Sequence, residues 1–231
     1  MNSIIGYSEI LEEDAEDIGQ VDFIPDLQKI QGSSQHLLGL INAVLDLSKV
    51  EAGRMDVLIE TVDIAQMTQD VSMSVYPAAH RKGNTLTLVN ESDVATIETD
   101  QSKLHQCLLN LLGNANKFTE DGVITLKVSS SADDSQSWVH FTIKDTGIGM
   151  TREQLAKAFE PFTQADASTT RRFGGSGLGL TLTKQFAELM GGTLKAKSRY
   201  EHGSIFTLTV PNMLQSRRQK SDLVDSQKSY I

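Results

Sequence analysis

The sequence predicts an α+β protein: an N-terminal helical hairpin followed by an α/β sandwich with a mixed, mostly antiparallel sheet covered by helices on one face. Three observations support this fold: helical periodicity up to about residue 54, alternating segments typical of strands after it, and helical segments interleaved with those strands. We therefore divide the chain into a hairpin (residues 1–54), a sandwich domain (55–212) and a polar tail (213–231) expected to be a linker or disordered.

The hairpin is predicted from apolar and small residues that recur every three or four positions, the spacing of one helix face. The two series are Ile4, Ser8, Leu11, Ala15 and Ile18, and then Leu27, Ile30, Ser34, Leu37, Ile41, Val44 and Ser48. Further leucines in the second helix exceed what one partner helix covers. We therefore expect a homodimer through a four-helix bundle; the alternative is that the hairpin packs on the chain's own second domain.

The sandwich domain is predicted from two periodicities that alternate along the chain. Period-two segments indicate strands at 85–89, 123–128, 138–145 and 204–211. Helical patterns lie at 64–81, 102–118 and 178–190. The neighbouring segments between 123 and 145 are typical of a hairpin, which favours an α+β sandwich with helices on one sheet face.

Composition narrows the function classes. A net charge of −9 argues against nucleic-acid binding, which usually requires a basic surface. The lone Cys107 cannot form an internal disulfide, which suits a reducing compartment. No apolar run approaches the roughly 20 residues of a membrane-spanning helix, so we expect a cytoplasmic fragment without membrane contact.

The stretch DTGIGM (145–150) is the first candidate site. By strand alternation Asp145 ends the row Val139, Phe141 and Ile143, which points to the interior. A carboxylate there is costly unless it accepts hydrogen bonds, and the exocyclic amine of a planar heterocycle would donate one. Gly147 and Gly149 would let a flat ligand lie against the backbone. The alternative is a plain Asp-Gly turn between a strand and a helix.

A polar stripe on the helix at 102–118 is the second candidate. Its members are Lys103, Gln106, Asn110, Asn114 and Lys117, and leucines occupy the rest of the helix. Amide oxygens suit Mg²⁺, so Asn114 is the candidate metal ligand and Lys117 can face phosphates. The alternative is a solvent-facing stripe.

The third candidate is a glycine-rich segment, which we expect to form a mobile lid because little between residues 163 and 177 is apolar. Gly174, Gly175, Gly177 and Gly179 run into the helical pattern that starts at Leu178, and amides at a helix N-terminus attract phosphate. Arg171 and Arg172 add positive charge. The segment lacks the strand that precedes a dinucleotide-binding fingerprint, and the chain has no GxxxxGK phosphate loop.

Taken in order, NLLGNANKFT, DTGIGM, FEPF and GGSGLGL closely resemble the N, first glycine, F and second glycine boxes of two-component sensor histidine kinases. The resemblance runs over nearly the whole chain. It implies the Bergerat-type ATP-binding fold shared with the gyrase B subunit, MutL and a heat-shock chaperone ATPase. It also implies that this domain follows a dimerising hairpin and uses ATP and Mg²⁺.

The resemblance implies a role for each matching residue. Asp145 would bind the adenine amino group, Asn114 would bind Mg²⁺, and Lys117 would approach the phosphates. The catalytic set would be Asn110, Asn114 and Lys117. The remaining nucleotide-binding residues would be Phe118, Gly147, Gly149, Phe162, Arg171, Arg172, Gly175, Gly177, Leu178 and Gly179.

The chemistry that follows is phosphoryl transfer to histidine. Related ATPases carry a glutamate base where this chain has Asn110, and an amide cannot take a proton from water. We therefore expect poor hydrolysis, transfer of the γ-phosphoryl group to an imidazole, and relay to the receiver domain of a response regulator. The alternatives are a nucleotide-gated dimer scaffold without catalysis and a weak ATPase.

One part of the family pattern is missing from the printed sequence. The acceptor histidine of the family lies in an H-E/D-x-R-T-P motif, just before the segment that MNSIIGYSE resembles. The histidines present lack that context and are interpreted as surface or packing residues: His36, His80, His105, His140 and His202. We expect this fragment to bind ATP without phosphorylating itself, and many parent proteins of the family are membrane-anchored upstream.

Overall fold

The computed structural model describes residues 2–132, 136–163 and 177–212. The chain forms two compact units, Met1–Met55 and Asp56–Ile231, each considered by itself below. Arg171, Arg172, Gly175 and the predicted tail at 213–231 lie outside the described residues. No helix within the described ranges combines the length and hydropathy needed to cross a bilayer.

The first unit is the predicted helical hairpin. Helix α1 (Asn2–Asp17) and helix α2 (Ile24–Glu51) are joined by a short 3₁₀ turn at Val21–Phe23. Gly19 has φ +74°, a left-handed conformation that ends α1 and that glycine adopts without strain. Across the pair, Gln28 and Gln31 each donate a 2.7 Å hydrogen bond to the carboxylate of Glu12.

The predicted apolar seam of the hairpin is only partly buried. Ser8, Ala15, Ser34 and Leu47 are the buried residues. Small residues line this interior because two helices alone meet along a narrow contact. Seven of the eight large apolar members of the two predicted series are exposed, and Leu27 is half-buried; the exposed ones are Ile4, Leu11, Ile18, Ile30, Leu37, Ile41 and Val44.

The second unit contains the predicted mixed sheet. Its strands, in chain order, are β1 (Glu60–Asp63), β2 (Thr85–Glu91), β3 (Thr96–Thr99), β4 (Val123–Ala132), β5 (Ser137–Asp145), β6 (Thr193–Ser198) and β7 (Ser204–Asn212). The main sheet has the order β2-β4-β5-β7-β6, in which only β2 and β4 pair in parallel. The separate antiparallel pair β1-β3 is not predicted by the sequence pattern.

Helices cover one face of this sheet, as predicted. The helices among the described residues of this unit are α3 (Ile64–Arg81), α4 (Gln101–Phe118), α5 (Arg152–Lys157) and α6 (Gly179–Leu189). Helix α4 packs against β4, β5, α3 and α6, which places its leucines in the core. On β5, Val139, Phe141 and Ile143 are fully buried on that same face, as strand alternation predicts.

The start of α4 is fixed by a buried cap. Asp100 accepts hydrogen bonds from the backbone N–H of Lys103 (2.9 Å) and of Leu58 (3.0 Å). The Lys103 ammonium also lies 2.6 Å from Asp100 Oδ2. Burial raises the pKa of Asp100, but the hydrogen bonds from Lys103 and Leu58 lower it more, so the pKa lies below its usual range. The Lys103 side chain is therefore paired with Asp100 at the start of α4.

Candidate nucleotide-binding site

Asp145 lies at the buried end of β5, where the protein supplies donors for one of its two oxygens. The backbone N–H groups of Gly147 (2.9 Å) and Ser204 (3.2 Å) both donate to Oδ1. Within the described ranges no residue donates to Oδ2. Burial raises the pKa of Asp145 above its usual range, although the two backbone hydrogen bonds act in the opposite direction. Asp145 is thus a buried acid with one oxygen left for a ligand.

The glycines after Asp145 are required by close backbone contacts. A Cβ atom on Gly147 would collide with the carbonyl group of Phe118, and one on Gly149 would collide with the carbonyl group of Arg199. Gly149 also has φ +61°, which favours glycine. The side of each glycine on which a Cβ atom would lie therefore contacts the protein's own backbone. The sequence pattern instead predicts space for a flat ligand there. Their part in shaping an adenine pocket remains a prediction.

The polar stripe of α4 divides into parts with different surroundings. Lys103 is bound to the cap at Asp100, and Gln106 is exposed. Asn110, Asn114 and Lys117 are half-buried along the second half of the helix. Asn114 makes no hydrogen bond to any residue in the described part of the chain, so its amide oxygen is available to a ligand. The stripe is therefore neither fully solvent-facing nor fully used by the protein.

Asn110 connects α4 to the start of α6. Its Nδ2 donates a 2.8 Å hydrogen bond to Thr183 Oγ1, and that hydroxyl donates to the carbonyl oxygen of Gly179 (2.9 Å). A Cβ atom on Gly179 would collide with Asn110 Oδ1, so only glycine permits this approach. The contact brings the predicted amide helix and the second glycine box together.

The last turn of α4 carries positive charge in a confined place. The Lys117 ammonium lies 4.8 Å from the centroid of the Phe118 ring. Burial lowers the pKa of Lys117, and the neighbouring Lys82 ammonium lowers it further. An ammonium group can attract the phosphates of a nucleotide.

Several supporting residues are missing from the sequence-based prediction. Asn84 is buried and donates to Asn116 Oδ1 (3.0 Å) and to the Thr119 carbonyl oxygen (2.9 Å). The Lys82 ammonium donates to the Asn116 carbonyl oxygen, and the backbone N–H of Ser204 donates to Asp145. The local sequence gives no signal for these residues. The segment KGN at 82–84 indicates a short turn, but such turns are common and do not point to a site.

The two described ends of the glycine-rich segment lie side by side. A Cβ atom on Gly177 would approach the backbone of Phe162 and Thr163 at about 2.9 Å, and Gly177 has φ +69°. Leu178 is buried, and Thr181 Oγ1 donates to the Phe159 carbonyl oxygen (2.9 Å). The Phe162 side chain is 65% exposed.

His80, His140 and His202 occupy packing or surface positions. His140 lies on the helix-free face of the sheet, where its ring nitrogens contact Ser131 Oγ (2.7 Å) and Thr209 Oγ1 (3.0 Å). Burial lowers the pKa of His140. His80 and His202 are exposed.

The residues present fit ATP and Mg²⁺. An adenine amine matches Asp145 Oδ2, and the amide of Asn114 is a hard oxygen ligand with no described partner. The described residues contain no cluster of three or more His, Cys, Asp or Glu side chains able to hold a metal ion. A Mg²⁺ ion here would thus rely on phosphates, water and one or two amides, which is its usual mode of binding beside nucleotides.

Two family models match the chain. One is described as Histidine kinase-, DNA gyrase B-, and HSP90-like ATPase and matches residues 99–213. The other is described as His Kinase A (phospho-acceptor) domain and matches residues 1–53. The two matches follow each other in the order expected from the motifs.

Two individual proteins that are similar in sequence to this chain are also kinases by name. The chain is 37% identical over 213 residues to hybrid signal transduction histidine kinase B of Dictyostelium discoideum, which covers 91% of this chain and 11% of that protein. It is 34% identical over 217 residues to the autoinducer 2 sensor kinase/phosphatase LuxQ of Vibrio vulnificus, covering 91% of this chain and 25% of LuxQ. The chain therefore spans at most a quarter of the length of these two relatives.

A solved structure agrees with them. Full-length ShkA in complex with AMPPNP is 32% identical to this chain, with a TM-score of 0.69 over 80% of this chain and 38% of ShkA. These matches, together with the fold and the four ordered motifs, show that the chain belongs to the sensor histidine kinase family.

Proposed function

We propose that this chain is the ATP-binding catalytic core of a sensor histidine kinase and transfers the γ-phosphoryl group of ATP to a histidine. The observation that carries the proposal is Asp145: one oxygen is satisfied by two backbone amides and the other has no described donor. That arrangement fits a ligand with an exocyclic amine. The half-buried amides and ammonium of α4 suit the phosphates of the same ligand.

The residues of the site would perform separate tasks. Asp145 orients the base, and the Lys117 ammonium offsets negative charge on the phosphates. Mg²⁺ bound by Asn114 and phosphate oxygens would supply further charge neutralisation in the transition state. A nitrogen of the acceptor imidazole forms a bond to the γ-phosphorus, the bond to the ADP oxygen breaks, and the imidazole proton leaves to solvent.

Asn110 disfavours hydrolysis as a competing reaction. Its amide donates to Thr183 and has no proton-accepting capacity comparable to a carboxylate. Water in the site is therefore not activated by this residue. Transfer to an imidazole is favoured because the imidazole is the stronger nucleophile at neutral pH.

We further propose that the hairpin forms a homodimeric four-helix bundle and that a response-regulator receiver domain accepts the phosphoryl group. Support for the dimer comes from the exposed apolar series on α1 and α2, including Leu11 at 53%, Leu37 at 46% and Ile41 at 43%. Such a wide apolar surface is usually covered by another chain. We place this part of the protein in the cytoplasm, where ATP is available.

The test is transfer in trans. The chain would be incubated with γ-labelled ATP, Mg²⁺ and a separate hairpin protein that carries an H-E-x-R-T-P motif. Acid-labile label on the hairpin protein is the expected result. Release of labelled phosphate alone would instead support the ATPase, and tight binding without turnover would support the nucleotide-gated scaffold.

A matched control isolates the acceptor. The same hairpin protein with its motif histidine replaced by glutamine should remain unlabelled. Label on the glutamine variant, or on the chain itself, would contradict transfer to that histidine.

A further inference from the structure

A short turn between α3 and β2 holds the end of the helix that carries the phosphate-facing residues. We call residues 82–84 the bracing turn. Lys82 Nζ donates hydrogen bonds to the backbone carbonyl oxygens of Asn116 (3.0 Å) and Lys117 (2.8 Å). Both carbonyls belong to the last turn of α4, where no intrahelical donor follows. The Lys82 ammonium thus acts as a cap for α4 from another part of the chain.

The other residues of the bracing turn fix this arrangement. Asn84 bridges Asn116 and Thr119 through its Nδ2, and its Oδ1 accepts from the N–H of Gly122 (3.0 Å). The N–H of Asp121 donates to the Lys82 carbonyl oxygen (3.0 Å). Gly83 has φ +70°, and a Cβ atom there would collide with the Asp121 carboxylate. The position of the Lys82 ammonium is therefore set by a buried network.

The charge of Lys82 has a consequence for anion binding. The C-terminus of a helix carries a partial negative charge of about half an elementary charge. Lys117 lies in the last turn of α4, so a polyphosphate attracted to it would approach this negative end. The Lys82 ammonium offsets that charge at the two carbonyls it contacts. Burial lowers the pKa of Lys117, and the nearby Lys82 ammonium lowers it further.

We propose that Lys82 is a positioning residue that makes the last turn of α4 acceptable to the phosphates of the nucleotide. It does so by neutralising the carbonyl end of α4 and by fixing the backbone of Lys117, without itself contacting the base. This inference rests on the proposed nucleotide site. It predicts an effect that grows with the number of phosphates on the ligand.

The experiment compares adenosine, AMP, ADP and ATP, each titrated calorimetrically in the presence of Mg²⁺ against the wild-type chain and Lys82→Gln. Glutamine keeps a hydrogen-bond donor at the position and removes the charge. We expect about tenfold weaker ATP binding, a smaller loss for ADP, and adenosine affinity within about twofold of wild type. Lys82→Arg, which keeps the charge, should retain most of the ATP affinity.

Matched controls exclude a general effect. Lys195→Met removes the same charge from an exposed position on β6 and should change no affinity by more than about twofold. Thermal denaturation of each variant would show whether it is folded. If Lys82→Gln unfolds, Lys82→Arg still tests the inference. Weakened ATP binding with unchanged adenosine binding in the arginine variant would contradict the inference, because that variant keeps the charge.

Two further outcomes would overturn the inference. Equal losses for adenosine and ATP in Lys82→Gln would indicate a purely structural role. Unchanged ATP affinity would show that the charge has no effect on phosphate binding. Failure of the proposed function is a different result: the wild-type chain would then bind none of the adenine ligands.

Discussion

The two ends of the candidate site are built in different ways. At the base end, main-chain amides and tightly packed glycines surround one buried acid, Asp145. At the phosphate end, side chains on α4 point into a half-buried region, and residues from another turn hold the helix end. The base end is therefore specified by backbone geometry, and the phosphate end is specified by charge and amide chemistry.

This difference predicts different responses to mutation. A change at the base end removes a contact common to every adenine ligand. A change at the phosphate end affects only ligands that carry phosphates and Mg²⁺. The following experiments are arranged from the largest expected effect to the smallest.

Replacement of the buried acid should have the largest effect. Asp145→Asn is expected to weaken ATP and adenosine binding alike, by about a hundredfold, because an amide is a poorer acceptor and presents its own donor to the adenine amine. Calorimetry would measure both affinities. Asp93→Asn, at an exposed position, is the matched control and should bind normally. Unchanged affinity in Asp145→Asn would remove the basis of the proposed site.

Replacement of the proposed metal ligand should separate the two ends. Asn114→Ala is expected to weaken Mg²⁺-ATP binding by about tenfold and to leave adenosine binding unchanged, because only the ion and phosphates use its oxygen. Titrations with and without Mg²⁺ would measure this. Equal affinity for Mg²⁺-ATP in the variant and wild type would argue against Asn114 as a ligand.

The cap at the opposite end of α4 should affect stability instead of binding specificity. Asp100→Ala is expected to lower the free energy of unfolding by about 1 to 2 kcal/mol, because it removes a helix N-cap and leaves buried donors unpaired. Urea denaturation would measure the loss. The ratio of adenosine to ATP affinity should stay constant, and a changed ratio would show that the cap acts on one end of the site.

The smallest expected effect is on pH dependence. The pKa of Asp145 is raised by burial above its usual 3.8, so the folded protein holds this proton more tightly than the unfolded chain. The contribution of this bound proton to stability is therefore fully present below about pH 3.8 and is lost as the pH rises through the pKa of the folded state. Adenine binding favours the carboxylate, so affinity should rise with pH over the same range. Asp145→Asn should lose this part of the pH dependence of binding, measured upward from about pH 4.

Much of the fold was predictable because it follows local periodicity. Helix α3 begins and ends where the pattern at 64–81 predicts, and β5 extends the predicted strand by one residue. The elements that the pattern misses are short: β1 and β3 have four residues each, and β6 and α5 have six each, too few for a periodicity to be distinct. The hairpin helices were also predictable, and three of the four buried residues described in them, Ser8, Ala15 and Ser34, lie in the predicted series. That the large apolar members of the series are exposed was not predictable, because a seam between chains looks the same in sequence as one within a chain.

The candidate site was predictable in part. Asp145, Asn110, Asn114 and Lys117 are chemically conspicuous, since polar residues stand out against apolar rows. Lys82 and Asn84 are not, because they act through main-chain groups distant in sequence. The close approach of Gly147 to the Phe118 carbonyl was not predictable, because it joins segments far apart in the chain.

The sequence by itself determined the order of the longer helices and of most strands, the four motifs and hence the family, because periodicity and residue chemistry are local properties. Only the tertiary structure decided which donors reach Asp145, which residues cap α4, and which glycines are required by contact. These depend on close approaches between segments far apart in the chain, and no local pattern encodes such distances.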